Sequence, residues 1–200
     1  MYVICSDLES VYVPEIWINV ATKTGIEELK ITTREDPDYN KLMRRRIKIL
    51  EENNIKLRDI KEILVKENPF PGAKDFLDWL RSVARLIIVS DTFVEFASPW
   101  MNKLGNPLLF CNSLIVGEDG MIKKHIMRQD NGKKQVVAAI RSLNYKTIAF
   151  GDSFNDIDML READYGILYC PPNNVKEQFH QFPVANNYDE LKKIICAKLI

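Results

Sequence analysis

The chain has 200 residues, of which 46% are apolar and 28% charged, the composition of an ordinary globular protein with room for one large domain or a core plus a small insertion. Its 28 basic and 28 acidic side chains cancel, which removes the general field that would attract nucleic acid or an anionic membrane. Four scattered cysteines form no C-x-x-C pair and no apolar run reaches membrane-spanning length, so disulfide frameworks, zinc sites and integral membrane proteins are excluded in favour of a reduced, cytoplasmic protein.

The first element, Tyr2–Cys5, reads as a buried strand, and two acids follow it one residue apart, Asp7 and Glu9. Val13-Pro14 then opens a Lys-, Arg- and Glu-rich stretch with helical patterning and no convincing strand, closed by Asn68-Pro69-Phe70-Pro71-Gly72. We read residues 14–69 as a helical cap inserted into a core made of residues 1–13 and 70–200. Within the cap, Leu42, Met43, Ile47, Ile49 and Leu50 mark an apolar stripe, and Arg46 falls near its centre while Arg44 points away. An inward arginine calls for an anionic partner such as a substrate carboxylate; the competing reading is a snorkelling side chain or a structural ion pair.

The core resumes with a helix at Ala73–Val83, where Phe76, Leu77, Leu80 and Val83 share one face, and a buried strand at Leu86–Val89. Ser90 ends that run, and Ser90-Asp91-Thr92 either caps the next helix or offers a hydroxyl and backbone N–H groups to a phosphoryl oxygen. Alternation around Glu118-Asp119-Gly120 predicts a hairpin over Leu114–Met127. The helix Gly132–Leu143 carries Lys133 on the same stripe as Val136, Val137 and Ile140 and in the first turn, where the helix dipole disfavours a cation. A lysine disfavoured twice points to a nearby anion, whereas Lys134 projects further round towards solvent. A strand at Thr147–Phe150 leads into Gly151-Asp152-Ser153-Phe154-Asn155-Asp156, and Gly166–Tyr169 is a further strand, with Cys170 beside it; Cys5 and Cys170 both read as buried free thiols.

Strands alternating with helices predict an α/β fold, a parallel sheet flanked by helices, in which ligands bind beyond the carboxyl ends of the strands. Asp7, Ser90 and Asp152 all stand there. Three acids, Asp7, Asp152 and Asp156, converging without a cation would repel one another, and a divalent ion with hard oxygen ligands resolves the conflict. It also permits an anionic Asp7 to approach a phosphate and attack it. The plainer alternative for Gly151–Asp156 is a loop with helix caps.

Taken in order, Asp7-Leu8-Glu9-Ser10-Val11, Ser90, Lys133 and Gly151-Asp152 through Asp156 resemble the four motifs of the haloacid dehalogenase superfamily, and the insertion after the first resembles its C1-type helical cap. The resemblance implies a Rossmann-like core. D-L-E-x-V-x-V-P-E-I-W-I, S-D-T-F-x-E-F, G-D-S-x-N-D and the late Q-F-P are similar to the branch of bifunctional phosphoserine phosphatases/phosphoserine:homoserine phosphotransferases. By that resemblance Asp7 is nucleophile and Mg²⁺ ligand, Glu9 binds Mg²⁺ through its carbonyl and moves the proton with its side chain, and Asp152 is the third ligand, with Asp156 in support. Ser90, Asp91, Lys133 and Asn155 hold substrate or phosphate, Glu15 takes the substrate ammonium and Arg46 its carboxylate. Glu15, following Pro14, also suits a helix N-terminus. The implied substrate is O-phosphoserine and the acceptor water or homoserine, in serine and threonine biosynthesis. A homodimer is compatible with these observations. Ser10, where relatives often have glycine, departs from the pattern. Alternatives are a phosphatase for another small phosphate ester and an inactive binding-module relative.

Overall fold

A computed structural model of the chain describes residues 1–32 and 38–199. Its centre is a seven-stranded sheet in the order β4-β3-β2-β1-β5-β6-β7. The strands are β1 (Tyr2–Ser6), β2 (Arg85–Phe93), β3 (Leu109–Val116), β4 (Ile122–Ile126), β5 (Lys146–Gly151), β6 (Tyr165–Tyr169) and β7 (Val184–Ala185). Among the described residues only the β3–β4 pair is antiparallel. The chain runs outward from β1 through β2 and β3, then returns to place β5 on the other side of β1. The crevice beyond the carboxyl ends of β1 and β5 is therefore the topological switch point, where such sheets bind ligands.

The α-helices described are α1 (Ile16–Thr24), α2 (Tyr39–Glu52), α3 (Leu57–Lys66), α4 (Ala73–Val83), α5 (Val94–Lys103), α6 (Gly132–Ser142), α7 (Ile157–Glu162), α8 (Asn173–Gln178) and α9 (Tyr188–Leu199). Burial of the apolar stripes fixes which sheet face each helix covers. On one face Phe76, Leu77 and Leu80 of α4, Trp100 of α5 and Leu191 and Ile195 of α9 pack with Ile4, Ile88 and Phe150. On the other, Val136 and Val137 of α6, Met159 and Leu160 of α7 and Val175 of α8 pack with Val3, Cys5, Val89 and Ala149. Alternate residues of β1 thus serve opposite faces, as the two-residue strand period requires. This is the mixed α/β sandwich that the alternation predicted.

Between β1 and α4 stand α1, a 3₁₀ turn at Glu27–Lys30, α2 and α3; among the described residues this stretch holds no strand, and positions 33–37 of the predicted helical segment lie outside them. Its two ends are pinned together and to α9. Phe70 N–H donates to Tyr12 O (2.8 Å), and Tyr188 Oη of α9 donates to Val11 O (2.6 Å). At the far edge Leu57 N–H donates to Gly120 O (3.1 Å), and His125 Nε2 lies 2.8 Å from Asn40 Oδ1.

Several sequence expectations are corrected. Ser90-Asp91-Thr92 does not cap a helix: β2 continues to Phe93, with its pairing register to β3 shifting between Val89 and Phe93, and α5 begins only at Val94. β3 starts at Leu109, before the predicted hairpin, because its first residues pair in parallel with β2. Val83, the last residue of α4, is 40% exposed and so does not share the burial of Phe76, Leu77 and Leu80. Cys170 is exposed rather than buried, carried past the end of β6 with φ 46°. Cys5 is buried as expected, and burial pushes its thiol up to about 12.

Candidate active site

Backbone geometry brings the predicted residues together at the β1/β5 crevice. Asp7 follows β1 directly and its N–H donates to Phe150 O (3.0 Å), which extends the β1–β5 ladder by one residue and fixes where the Asp7 carboxyl stands. Asp152 follows β5 in the same way. Gly151 has no side chain because Asp156 folds back onto it: a Cβ there would lie 2.7 Å from the Cβ of Asp156. Asp156 Oδ2 accepts the N–H groups of Asp152 and Ser153 (both 3.0 Å) and the Ser153 hydroxyl (3.2 Å). Asp156 Oδ1 accepts Lys133 Nζ (2.7 Å). Both oxygens of this fully buried carboxylate are thus committed to protein donors.

Lys133 is 4% exposed, while Lys134 is half-buried, as the stripe argument required. Its ammonium lies 2.9 Å from Asp7 Oδ1 and 3.9 Å from Asp91 Oδ2. Burial works against that charge, but Asp156, Asp7 and Asp91 more than offset it and hold the ammonium firmly protonated. Burial raises the Asp7 carboxyl well above the carboxylate range, with Lys133 opposing and Asp156 and Asp152 adding to the rise. Asp91 is likewise raised, mainly by burial against the pull of Lys133.

Oxygens of Asp7, Asp152 and Asp156 all come within 4.8 Å of one another. One ammonium faces this cluster, and Asp7 Oδ1, though close to it, makes no properly directed hydrogen bond. Buried, negatively charged and all-oxygen, the cluster has the chemistry that suits a small hard dication. Asp7 and Asp152 are the better side-chain donors, since Asp156 is already bound up in holding Lys133 and the loop.

Glu9, half-buried in the same cleft, accepts the N–H of Ile16 through Oε2 (2.8 Å) and so caps α1 from outside the helix. Glu15, the residue that precedes α1, makes no side-chain capping bond; its Oε1 instead accepts the Ser10 hydroxyl (3.2 Å). Burial, then the charge of Glu15, raises the Glu9 carboxyl to about 7, with the Ile16 N–H, Lys133 and Arg46 opposing. Arg46, 4% exposed, stacks its guanidinium over the Trp17 ring at 4.5 Å and donates from Nη2 to Ile31 O (2.8 Å).

One cleft is lined by Asp7, Glu9, Glu15, Arg46, Ser90, Asp91, Lys133, Asp152 and Asn155, so every predicted site residue except the fully buried Asp156 faces it. Ser90 is buried and its Oγ accepts the N–H of Thr92 at 3.3 Å; Asn155 is exposed at the rim. The sequence reasoning missed Trp17, Tyr39 and Leu42, which also line the cleft. Tyr39 Oη donates to Asp91 O (2.7 Å), which Asn112 Nδ2 also reaches (3.0 Å), and so ties α2 to the β2 side of the cleft. Trp17 had a signal, since it stands in the V-P-E-I-W-I run that carries part of the resemblance; Tyr39 had none, because its partner is a backbone carbonyl.

A family model described as haloacid dehalogenase-like hydrolase matches residues 9–164. A phosphoserine phosphatase of Pseudomonas syringae pv. tomato is 50% identical over 189 residues, 94% of this chain and 80% of the relative. The phosphoserine phosphatase ThrH of Pseudomonas aeruginosa is 48% identical over 193 residues, 96% of this chain and 94% of the relative. In fold, the chain superposes on a phosphoserine phosphatase solved as an analogue of its phospho-aspartyl intermediate with a TM-score of 0.79, at 21% identity and over 96% and 97% of the two chains. Motif order, sheet topology and sequence relationship agree: the chain belongs to the haloacid dehalogenase-like hydrolases.

Proposed function

We propose that the protein is a Mg²⁺-dependent phosphoserine phosphatase that works through an aspartyl-phosphate on Asp7 and also passes the phosphoryl group to homoserine. The observation that carries the reading is a cleft lined by two chemically distinct sets of residues. The sheet and α6 supply Asp7, Lys133 and Asp152; α2 and the start of α1 supply Arg46 and Glu15, the opposite charges that an amino acid's carboxylate and ammonium would need. The relatives named as phosphoserine phosphatases support the choice of amino acid.

In this reading residues 14–69 form the cap and the remainder the core. Asp7, Asp152 and the Glu9 carbonyl would hold Mg²⁺, which when bound supplies positive charge to the phosphate oxygens and keeps Asp7 ionised. Asp7 attacks phosphorus in line while Lys133 neutralises charge on the equatorial oxygens, with Ser90, Asp91 and Asn155 orienting the group. Glu9, whose carboxyl titrates near 7, is protonated often enough at neutral pH to donate to the departing serine oxygen. Ionised by that step, it then takes the proton of water or of the homoserine hydroxyl as either attacks the aspartyl-phosphate. Exclusion of water by the helical cap favours transfer over hydrolysis.

The test is incubation with O-phosphoserine and Mg²⁺, with and without homoserine, resolving free phosphate from phosphohomoserine. Release of phosphate from phosphoserine with no phosphohomoserine removes the transferase half. Equal turnover of esters that lack the amino or carboxylate group removes the Glu15 and Arg46 assignments.

A further inference from the structure

Ser10 stands in the left-handed backbone region, at φ 60°, in the turn between the two cleft acids Glu9 and Glu15. A non-glycine residue there carries a steric cost that glycine would not, and such outliers persist where the side chain does something the backbone alone cannot. Two observations say what. The turn is closed without the side chain, by the Ser10 N–H donating to Val13 O at 2.8 Å, so the hydroxyl is not needed to form it. The hydroxyl instead donates to Glu15 Oε1 at 3.2 Å.

From this contact we infer that Ser10 is a positioning residue for amino-acid recognition: its hydroxyl fixes the Glu15 carboxylate so that the substrate's ammonium meets an oxygen already aimed into the cleft. The inference rests on the proposed role of Glu15 and deepens it. Glu15 needs such a tether. It makes no capping bond to α1, and the Ile16 N–H that it might have held is already taken by Glu9. Left unanchored, a glutamate of three rotatable bonds would sample several rotamers, and an incoming ammonium would have to immobilise it. The left-handed backbone at Ser10 lets the serine hydroxyl reach across the turn to a residue five positions on.

The test uses two variants in the Mg²⁺-loaded enzyme, because they separate the hydroxyl from the strain. Ser10→Gly removes both the hydroxyl and the strain; Ser10→Ala removes the hydroxyl and keeps the strain. Steady-state kinetics are measured with O-phosphoserine and with 3-phosphooxypropanoate, the same ester without its amino group, and melting temperatures confirm that both variants fold. We expect both variants to raise KM for phosphoserine about five- to tenfold, the loss of one charge-assisted hydrogen bond at a partly exposed site. The kcat stays within about twofold, since the reacting atoms are untouched, and kcat/KM for the amine-free ester stays at the wild-type value. Glycine and alanine variants that diverge, or a KM that moves equally for both esters or for neither, overturns the role of Ser10. Wild-type enzyme that turns over the two esters equally retires the reading of Glu15 itself, before any variant is made, and the Ser10 inference with it.

Discussion

Replacing Lys133 by methionine, which has nearly the same length and no charge, isolates what the buried ammonium does. Its Nζ lies 2.7 Å from Asp156 Oδ1 and 2.9 Å from Asp7 Oδ1, with 4% of the residue exposed. At an effective dielectric constant of about 20, each contact carries roughly 6 kcal/mol of Coulomb attraction, most of it spent on desolvating the three groups. Removing the cation leaves Asp7 and Asp156 buried without it, and breaking a buried pair in this way costs about 3–5 kcal/mol. The loss depends on pH in a definite direction. Burial already raises the Asp7 carboxyl, and without Lys133, the cause that lowers it, the carboxyl rises further. A carboxyl whose folded pKa lies above its unfolded value contributes stability that is present below the unfolded pKa and lost as pH rises through the folded one. The gap between Lys133→Met and wild type should therefore widen as pH rises through the folded Asp7 carboxyl. Urea unfolding in chelator, at several pH values, measures it. Mg²⁺ should then raise the melting temperature of the variant more than that of wild type, because the ion meets acids that no longer have their own cation. A variant as stable as wild type at pH 8 in chelator refutes the view that Lys133 holds the acidic cluster together.

Gly151→Ala should displace Asp156, since the new Cβ would stand 2.7 Å from the Asp156 Cβ, costing about 3–5 kcal/mol and at least a hundredfold in turnover; a crystal structure of the variant with Asp156 unmoved sinks this account. Trp17→Leu removes the ring under the Arg46 guanidinium, a contact worth about 2 kcal/mol where desolvated, and should raise KM for phosphoserine roughly tenfold with less effect on kcat. The reverse pattern, kcat down and KM steady, would place Arg46 outside substrate binding. Glu9→Gln concerns a carboxyl raised from 4.5 to about 7 in the folded protein. In chelator, wild type should lose stability relative to this variant as pH rises from about 4.5 through 7, by up to about 3 kcal/mol; parallel stability curves would count against the raised carboxyl.

Residues whose role follows from their own helix or strand were legible in the sequence. Lys133 and Arg46 each stood on an apolar stripe, and each is 4% exposed in the structure, because helical period alone fixes which way a side chain faces. The four strands marked by apolar runs all formed, and Asp7 and Asp152 stand at the ends of neighbouring β1 and β5 because a parallel sheet leaves its strand ends in register. What stayed hidden depends on contacts between elements. Tyr39 reaches a carbonyl of residue 91, and Ser90 sits inside a strand because the late residues of β2 pair with β3, which apolar patterning around Ser90 does not reveal. Cys170 sits next to an apolar run yet turns outward, since the chain adopts φ 46° there.

Glu9 shows how far a motif can be read before structure changes its meaning. Read from the motif, its side chain is an arm free to move a proton, one methylene longer than the aspartate usual at that position. In the fold one oxygen of that arm is taken: Oε2 accepts the Ile16 N–H and closes the N-terminus of α1. The same bond lowers the Glu9 carboxyl somewhat, but burial and Glu15 outweigh it. In the proposed reaction the proton is therefore left to Oε1, while Oε2 keeps the carboxyl plane oriented and ties it to the first helix of the insertion. The longer side chain then has a physical reason. An aspartate at position 9 would have to choose between reaching Ile16 across the turn at Ser10 and facing the leaving oxygen, whereas glutamate spans both. In the proposed reaction, proton transfer and the seating of α1 are therefore mechanically linked, so a substitution that loosens α1 at Ile16 should slow the protonation-dependent steps without touching a reacting atom.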